Sequence, residues 1–296
     1  MMANEFSLDS IKITIPKRSK NSHKGDFGRA LILAGSEGMG GAAILSSEAC
    51  LFSGAGLVSM YTHPSNVEAS LTRNPEIMAL GIKKDFEIPK NIDVLLCGPG
   101  LRNNEWSANI VKKAFATKKL KILIFDAGAF DFLHDLSSKF SCHDSQIILT
   151  PHPGEAGKLL GISNDEVQKN REDSAKELSK KYNANVILKG KDTIVCLKDS
   201  NEVYVCSEGG PELSTGGTGD VLAGVIAGLT SQKLSISDSC MLSVAVHARA
   251  GEAFKRDIGE IGLNAGSLSP IIRNLLNGLW KKFILKTMML QIILAS

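Results

Sequence analysis

A glycine-rich segment over residues 214–229, STGGTGDVLAGVIAGL, has the residue types and the spacing that phosphate binding requires. The apolar spacing predicts a helix that begins near Thr218, so the backbone amides from Gly216 to Gly219 would be free donors. Glycines allow these amides to converge, and the helix dipole adds positive potential at the same end. The sequence therefore predicts an anion hole suited to a phosphoryl group, with Asp220 beside it in the first turn.

The same segment has a simpler explanation, because a first-turn acid complements the helix dipole and a glycine-rich loop can be a tight turn. Two glycines before Thr218 and a small-residue helix after it favour the phosphate site. It is not a Walker A loop, since no Lys-Ser or Lys-Thr pair follows the glycines. Gly224 and Gly228, four residues apart, would allow another backbone to approach closely. The residues predicted to form one apolar stripe are Val221, Leu222, Val225, Ile226 and Leu229.

A second segment, LTPHPGEAGKLLG over 149–161, holds His152 between two prolines at the end of a predicted strand. Pro153 is compatible with the start of a helix, which would place Glu155 in its first turn. A lone His is commonly structural, and a first-turn Glu commonly balances the helix dipole. The strand-end position nevertheless favours a functional site.

Two further segments leave alternatives open. The sequence VILKGKDTIV, over 186–195, is either a hairpin with a solvated lysine or a turn whose backbone and Lys189 face a nucleotide. In the segment over 23–49, HKGDFGRALILAGSEGMGGAAILSSEA, small residues at 38–43 either let a ligand lie against the backbone or serve helix–sheet packing.

Short apolar runs alternate with helix-period stretches, which predicts an α/β fold with a central, mostly parallel sheet and helices on both faces. In such folds ligands bind at the carboxyl ends of the strands, where the glycine-rich segments fall. The predicted strands cover 29–35, 57–62, 92–98, 121–128 and 146–150, with three more within 185–206, and the predicted helices cover 41–55, 105–118, 164–181 and most of the chain after 218.

Composition and charge exclude several classes of partner. The 34 basic and 31 acidic residues give a net charge of +3. So small an excess of positive charge does not indicate binding to nucleic acid or to a membrane surface. Six cysteines occur without a C-x-x-C pair, so we expect buried, reduced thiols rather than a zinc site or a disulfide framework. The first residues lack the apolar core of a signal peptide, and the expected location is the cytoplasm.

The length of 296 residues is ordinary for one large α/β domain, with residues 1–22 as a lead-in. An apolar tail at 283–296, FILKTMMLQIILAS, is too short to span a bilayer. We expect it to pack on the core or on a second subunit rather than to contact a membrane.

Taken together, these segments resemble the NAD(P)H-hydrate dehydratase family, a ribokinase-like group, from about His23 to about Ala265. Their order and spacing are more specific than any single segment. The segments that carry the resemblance are HKGDFGRALILAGS, GGAAILSSEACLFSGAGLV, NPEIM, CGPGL, FDAGA, LTPHPGE, VILKG and STGGTGDVLAGVIAGL.

The resemblance implies a ribokinase-like fold and a role for each matching residue. Asp220 would be the catalytic residue, and it would contact the hydrated nicotinamide nucleotide together with Ala42, Gly100 and His152. Glu155 would be an indirect partner of Mg²⁺, which would bridge phosphate oxygens. The positions matched to the adenine nucleotide are Lys189, Gly190, Lys191, Asp192, Thr193 and Gly219, and the predicted anion hole adds Gly216, Gly217 and Thr218.

The implied activity is dehydration of the S form of hydrated NADH and NADPH. The nucleotide, ADP in preference to ATP, would phosphorylate the ring hydroxyl, and phosphate would then leave. A homo-oligomer such as a tetramer is the expected assembly. The chain departs from the family at 210–215, GPELST, where Glu212 is expected to add negative charge near the phosphate site, and again in its ending, GLNAGSLSPIIRNLLN.

Two other functions remain open on the sequence. A vitamin-precursor or sugar kinase of the same fold would share the GTGD helix, but it should lack the combined CGPGL and TPHPGE segments. A nucleotide-sensing module without turnover belongs to another class of protein, and the presence of both Asp220 and His152 counts against it.

Overall fold

One ten-stranded sheet organises the residues that the computed structural model describes, which are 4–198, 200 and 202–278. The strand order across this sheet is β1-β10-β9-β8-β7-β6-β5-β2-β3-β4. The strands are β1 Asn4–Phe6, β2 Arg29–Leu33, β3 Leu57–Thr62, β4 Met78–Gly81, β5 Val94–Cys97, β6 Ile122–Phe125, β7 Gln146–Leu149, β8 Asn185–Leu188, β9 Thr193–Cys196 and β10 Val203–Cys206.

Most neighbouring strands are parallel, as the alternation of strands and helices predicts. All pairs from β4 through β3, β2, β5, β6 and β7 to β8 are parallel. The exception is β9, which is antiparallel to both β8 and β10. The carboxyl ends of β6, β7 and β8 therefore lie side by side at one edge of the sheet, where a ligand site is expected.

Helices cover both faces of the sheet. Along β2, Leu31 and Leu33 face one buried cluster, while Ala30 and Ile32 face the other, because successive strand residues point to opposite faces. The first cluster is completed by α3, α4 and α6, and the second by α1, α7 and α8. The helices are α1 Gly40–Phe52, α2 Val67–Arg73, α3 Glu105–Phe115, α4 Pro153–Leu160, α5 Asn164–Lys169, α6 Arg171–Tyr182, α7 Thr218–Ser231, α8 Ile236–Asp257 and α9 Leu268–Leu276.

In the structure another helix makes the close approach that the two glycines of α7 allow. A Cβ atom on Gly224 would lie 2.1 Å from the carbonyl oxygen of Ser46, and one on Gly228 would lie 2.5 Å from that of Cys50. Both carbonyls belong to α1, so the two helices pack backbone to backbone. The predicted single apolar stripe is wrong in one respect. Leu222 and Ile226 face the sheet, whereas Val221, Val225 and Leu229 join a third cluster with α8 and α9.

Other differences from the sequence prediction are local. The helix predicted over 164–181 is two helices, because Asn170 leaves the helical conformation with φ −131° and ψ 51°. The strand β1 lies inside the predicted lead-in, and β4 was not predicted. The apolar tail at 283–296 lies outside the described residues. In the part of the chain that the structure covers, no helix is both long and apolar enough to cross a membrane.

Candidate active site

The first turn of α7 has the backbone geometry that the predicted anion site requires. Gly217 precedes the helix with φ 93°, a left-handed conformation that favours glycine, and no described side chain caps the helix there. The first amides of α7 are therefore available to a ligand. Thr218 stabilises the loop that precedes α7. Its hydroxyl donates to the carbonyl oxygens of Leu213, at 2.9 Å, and Thr215, at 3.0 Å. The result is a preformed turn with its amides free.

A group of charged side chains lies beside this turn, at the carboxyl ends of three neighbouring strands. Lys189, after β8, donates to Asp126 Oδ1, after β6, at 2.7 Å, and its ammonium is 3.9 Å from Glu155 Oε2. A Cβ atom placed on Gly219 would be 3.4 Å from Lys189 Nζ. Lys189 therefore lies between these two acids and the start of α7, which carries Asp220.

Burial and mutual charge shift the ionisation of these groups. Burial raises the pKa of Asp220 to about 7, with the negative charge of Asp126 adding to the effect and Lys189 opposing it. Burial likewise raises the pKa of Glu155 to about 7. Burial alone would lower the pKa of Lys189, but Asp126 and Glu155 outweigh it, and the pKa is raised above its ordinary value. A carboxyl group that ionises near neutral pH is suited to taking up a proton during a reaction.

His152 begins α4 as its N-cap residue. Its Nδ1 accepts from the amides of Gly154 and Glu155, and the Glu155 carboxylate accepts from the amide of His152 in return. Together the two residues form a capping box, which gives both of them a structural role at the start of α4. The ring is more than half exposed, and burial and Lys189 lower its pKa, so a neutral imidazole faces the solvent.

Ala42 and Gly100, two residues matched to the substrate, lie against each other. A Cβ atom on Gly100, whose φ is 64°, would be 2.8 Å from the Cβ of Ala42 and 2.9 Å from the carbonyl oxygen of Met39. Any larger residue at 100 would therefore displace the start of α1. The surface at this point is backbone and methyl groups, against which a flat ring can lie closely.

A cavity of about 530 Å³ lies beside Lys189, which is one of its lining residues. Its walls combine polar groups with the apolar side chains of Leu213, Leu222 and Val244. Ala42, Gly100 and His152 are not among the residues that line this cavity. The residues matched to the adenine nucleotide that line the cavity are Lys189, Gly190, Lys191, Asp192, Thr193, Thr218 and Gly219, whereas Gly216 and Gly217 lie outside it.

The expectation that Glu212 adds negative charge near the phosphate site is wrong. Glu212 is buried with 4% of its surface exposed, and its Oε1 accepts from the amide of Gly210 at 2.8 Å. It does not line the cavity, and Oε1 is 3.1 Å from a Cβ placed on Gly251 in α8. The carboxylate therefore points to α8 rather than to the nucleotide.

Sequence reasoning missed two residues of the site. Asp126 is almost fully buried, and its Oδ1 accepts both from Lys189 and from the Thr150 hydroxyl, at 2.7 Å in each case. The sequence did offer one indication of its role, because Asp126 directly follows the buried strand β6. His247 lies in the interior of α8, where nothing in the sequence distinguishes it from a core residue, yet it lines the cavity.

Whether these residues fit a magnesium ion can be judged from their oxygen atoms. Mg²⁺ usually binds to one or two carboxylates together with substrate phosphates. Among the described residues, no group of three or more His, Cys, Asp or Glu could hold a metal. Asp126 Oδ2 is buried without a hydrogen-bond partner in the described part of the chain, and Glu155 lies across Lys189 from it. These acids fit a cation that arrives with the phosphates of a nucleotide, not a cage made by the protein alone.

The fold and this site define a ribokinase-like, nucleotide-binding class of α/β protein. The crystal structure of the ADP/ATP-dependent NAD(P)H-hydrate dehydratase from Bacillus subtilis, co-crystallised with ATP and Mg²⁺, superposes with a TM-score of 0.84 at 29% identity. The match covers 96% of this chain and 99% of that chain. The predicted ribokinase-like fold is therefore confirmed.

Sequence comparisons identify the family. The family model described as NAD(P)H-hydrate dehydratase matches residues 30–274, and the chain belongs to this family. The ADP-dependent (S)-NAD(P)H-hydrate dehydratase of Streptococcus pneumoniae is 38% identical over 84% of this chain and 86% of its own length. The bifunctional NAD(P)H-hydrate repair enzyme of Vibrio cholerae is 41% identical over 89% of this chain and 52% of its own length. The chain thus spans about half the length of the bifunctional relatives.

Proposed function

We propose that the protein is a dehydratase that restores the S form of hydrated NADH and NADPH at the expense of ADP or ATP. The observation that carries the proposal is the position of Asp220, a carboxyl group with its pKa raised to about 7, in the first turn of α7. A base and a set of phosphate-binding amides are thereby joined in one turn. Family membership gives the substrate class.

The adenine nucleotide is assigned to the cavity beside Lys189. Its phosphates would extend to the first amides of α7, where the helix dipole and the Lys189 ammonium stabilise negative charge. Lys191 and Thr193 line the same cavity and offer further donors to the nucleotide. The hydrated nicotinamide would lie on the opposite side, against Ala42 and Gly100 and within reach of His152.

The proposed reaction has two steps. Asp220 accepts the proton of the ring hydroxyl while that oxygen attacks the terminal phosphorus, and AMP leaves from ADP, or ADP from ATP. The ring nitrogen then donates its electron pair, the carbon–oxygen bond breaks, and phosphate leaves. Loss of a proton from the neighbouring ring carbon restores the double bond. Charge on the moving phosphoryl group would be stabilised by the amides of α7 and by Lys189.

The proposed function includes Mg²⁺, which would bind together with the nucleotide phosphates. When bound, it would neutralise phosphate charge, with Asp126 and Glu155 as the carboxylates placed to hold it directly or through water. ADP as the preferred donor is supported by the activity in the name of the Streptococcus pneumoniae relative. The Bacillus subtilis relative is an ADP/ATP-dependent enzyme, so ATP is the alternative donor that the assay compares with ADP.

A direct assay tests the proposed function. The purified protein is mixed with hydrated NADH, Mg²⁺ and either ADP or ATP, and the return of NADH absorbance is followed. We expect restoration that requires a nucleotide and releases one phosphate for each NADH formed. Asp220→Asn is the matched control, since it removes the base and keeps the side-chain shape. A nucleotide-dependent phosphorylation of a sugar or a vitamin precursor, without restoration of NADH, would instead identify a kinase.

The cytoplasm as location and a homo-oligomer, with a tetramer as the expected form, remain proposals. Assembly is supported by the edge strand β4, where Met78 and Leu80 are each nearly half exposed, because an apolar edge strand is a surface that proteins commonly cover. Sedimentation of the wild type and of Leu80→Lys tests this. A wild-type monomer would contradict it.

A further inference from the structure

His247, in α8, has one ring nitrogen in a hydrogen bond with the backbone and the other without a hydrogen-bond partner among the described residues. Its Nε2 lies 2.9 Å from the carbonyl oxygen of Thr218, the first residue of α7. Nδ1 makes no hydrogen bond to any described residue, yet it is not enclosed by protein atoms. The side chain is 9% exposed and lines the cavity beside Lys189, which is the opening that reaches the ring.

The contact with Thr218 determines the tautomer of this ring. A carbonyl oxygen only accepts, so Nε2 must carry a hydrogen and donate it. Burial lowers the pKa of His247 to about 4, with the positive charge of Lys189 contributing in the same direction, so the ring is neutral at pH 7. A neutral ring with hydrogen on Nε2 has a bare lone pair on Nδ1. His247 is therefore a fixed acceptor in the wall of the cavity.

The surroundings of the ring make this acceptor selective. Leu222, Val244 and Ala248 line the same cavity as His247, and a less polar environment strengthens a hydrogen bond made there. Glu208, another acceptor in the wall, is already paired with Arg249 and with the amide of Leu8. A ligand that offers a hydroxyl or an amine at this position would be favoured, because a buried acceptor left unpaired is costly.

The geometry points to His247 as a specificity-determining residue that accepts, through Nδ1, a hydrogen bond from a hydroxyl or an amine of the bound adenine nucleotide. This inference rests on the proposed function, which assigns the nucleotide to this cavity. The hydrogen-bond donor is either a ribose hydroxyl or the exocyclic amine of the base, since both groups can donate a hydrogen to Nδ1. The contact from Nε2 to Thr218 would at the same time connect this recognition to the phosphate-binding turn.

A purely structural His247, one that only braces α7, is the competing explanation. His247→Gln keeps an amide donor for the Thr218 carbonyl but does not present an acceptor where Nδ1 lies. His143 supplies a matched control, because its ring nitrogen Nε2 also lies 2.8 Å from a backbone carbonyl, that of Phe115, away from the cavity. If His247 had only this structural role, neither glutamine variant would change which nucleotide is preferred, because each keeps a donor for its backbone carbonyl.

The experiment measures dissociation constants by calorimetry for ADP, 2′-deoxy-ADP, 3′-deoxy-ADP and inosine 5′-diphosphate, which lacks the amine. We expect one analogue to bind the wild type about tenfold more weakly than ADP, and that penalty to disappear in His247→Gln but to persist in His143→Gln. The analogue affected identifies the donor. Equal penalties in wild type and His247→Gln would overturn the inference.

A second measurement covers the case in which His247→Gln does not fold. In wild-type protein labelled with ¹⁵N-histidine, the unprotonated Nδ1 of His247 should move upfield when ADP binds, and an unmoved resonance would overturn the inference. Both measurements require binding only. If ADP binds in this pattern and hydrated NADH is not restored, the proposed function fails while the role of His247 stands. If no adenine nucleotide binds, both fail.

Discussion

Asp220 combines a position beside free amides with a pKa near neutrality. In Asp220→Asn the side chain keeps its size and can hydrogen-bond the substrate hydroxyl, but it cannot take the proton. We expect kcat to fall by about 10²–10⁴, with nucleotide affinity retained. Stopped assays of NADH restoration, together with calorimetry of ADP binding, check this. A folded variant with near-wild-type kcat would leave Asp220 as a partner of the helix dipole and nothing more.

The charge of Lys189 sets the pH range in which Asp220 works. Protonation removes the base, so kcat should decline as pH falls through about 7, the value to which the pKa of Asp220 is raised. Lys189 opposes that rise, so Lys189→Met should move the acid limb of the kcat profile upward by about one unit or more. Lys191→Met, which removes an exposed cation from the same turn, is the control. Identical acid limbs in wild type and Lys189→Met would contradict this account of the cluster.

Single residues were predictable from sequence where their neighbours along the chain supply the context. Asp220 and Lys189 fall in turns whose glycines mark them. Asp126 was not predicted, because its partner Lys189 is 63 positions away and only the strand order brings them together. Glu212 was misjudged for a related reason, since sequence gives the presence of a charge but not the direction of its side chain.

The helix pair α1 and α7 depends on two residues without side chains. In Gly224→Ala the added methyl group would meet the Ser46 carbonyl at 2.1 Å, so one helix must move. We expect the free energy of unfolding to drop by about 1–3 kcal/mol, despite the better helix propensity of alanine. Gly41→Ala in α1 is the control, since a Cβ there meets open space within the described residues. Urea unfolding measures both, and equal stabilities would disprove tight packing here.

Elements with a strong periodic pattern were predicted within a few residues, as for β2, β3, α1 and α7. The strands β1 and β4, of three and four residues, are too short to show a pattern and form because the sheet edge offers partners. The antiparallel pairing of β8 with β9 agrees with the hairpin considered for residues 186–195. The lysine in its turn is not solvated, however, because Lys189 donates to the buried Asp126. The break at Asn170 leaves Arg171 free to donate to the carbonyl oxygens of Leu188 and Lys189, a contact that helical periodicity does not predict.

The molecule as a whole encloses most of its thiols. Of the six cysteines, all free, only Cys142 is exposed, and the expected burial is confirmed for the other five. A thiol reagent should therefore label one cysteine per chain rapidly in the native state and six in urea, because the buried thiols react only when the protein opens. Cys142→Ser should abolish the rapid phase. Two or more rapid thiols in the native protein would show that the two layers of helices open readily.

The backbone packing of α1 on α7 has a consequence for reaction entropy. Gly217 lies against Leu45, and Gly228 against Cys50, so the two helices run in the same direction and start at the same end. Ala42 and Asp220 lie in the first turns of α1 and α7, and the proposed function assigns both of them to the substrate. Because these two helices pack backbone to backbone, they hold the two bound substrates in a fixed relative position. The substrates therefore lose their translational entropy when they bind. Little of that loss then remains to slow the chemical step.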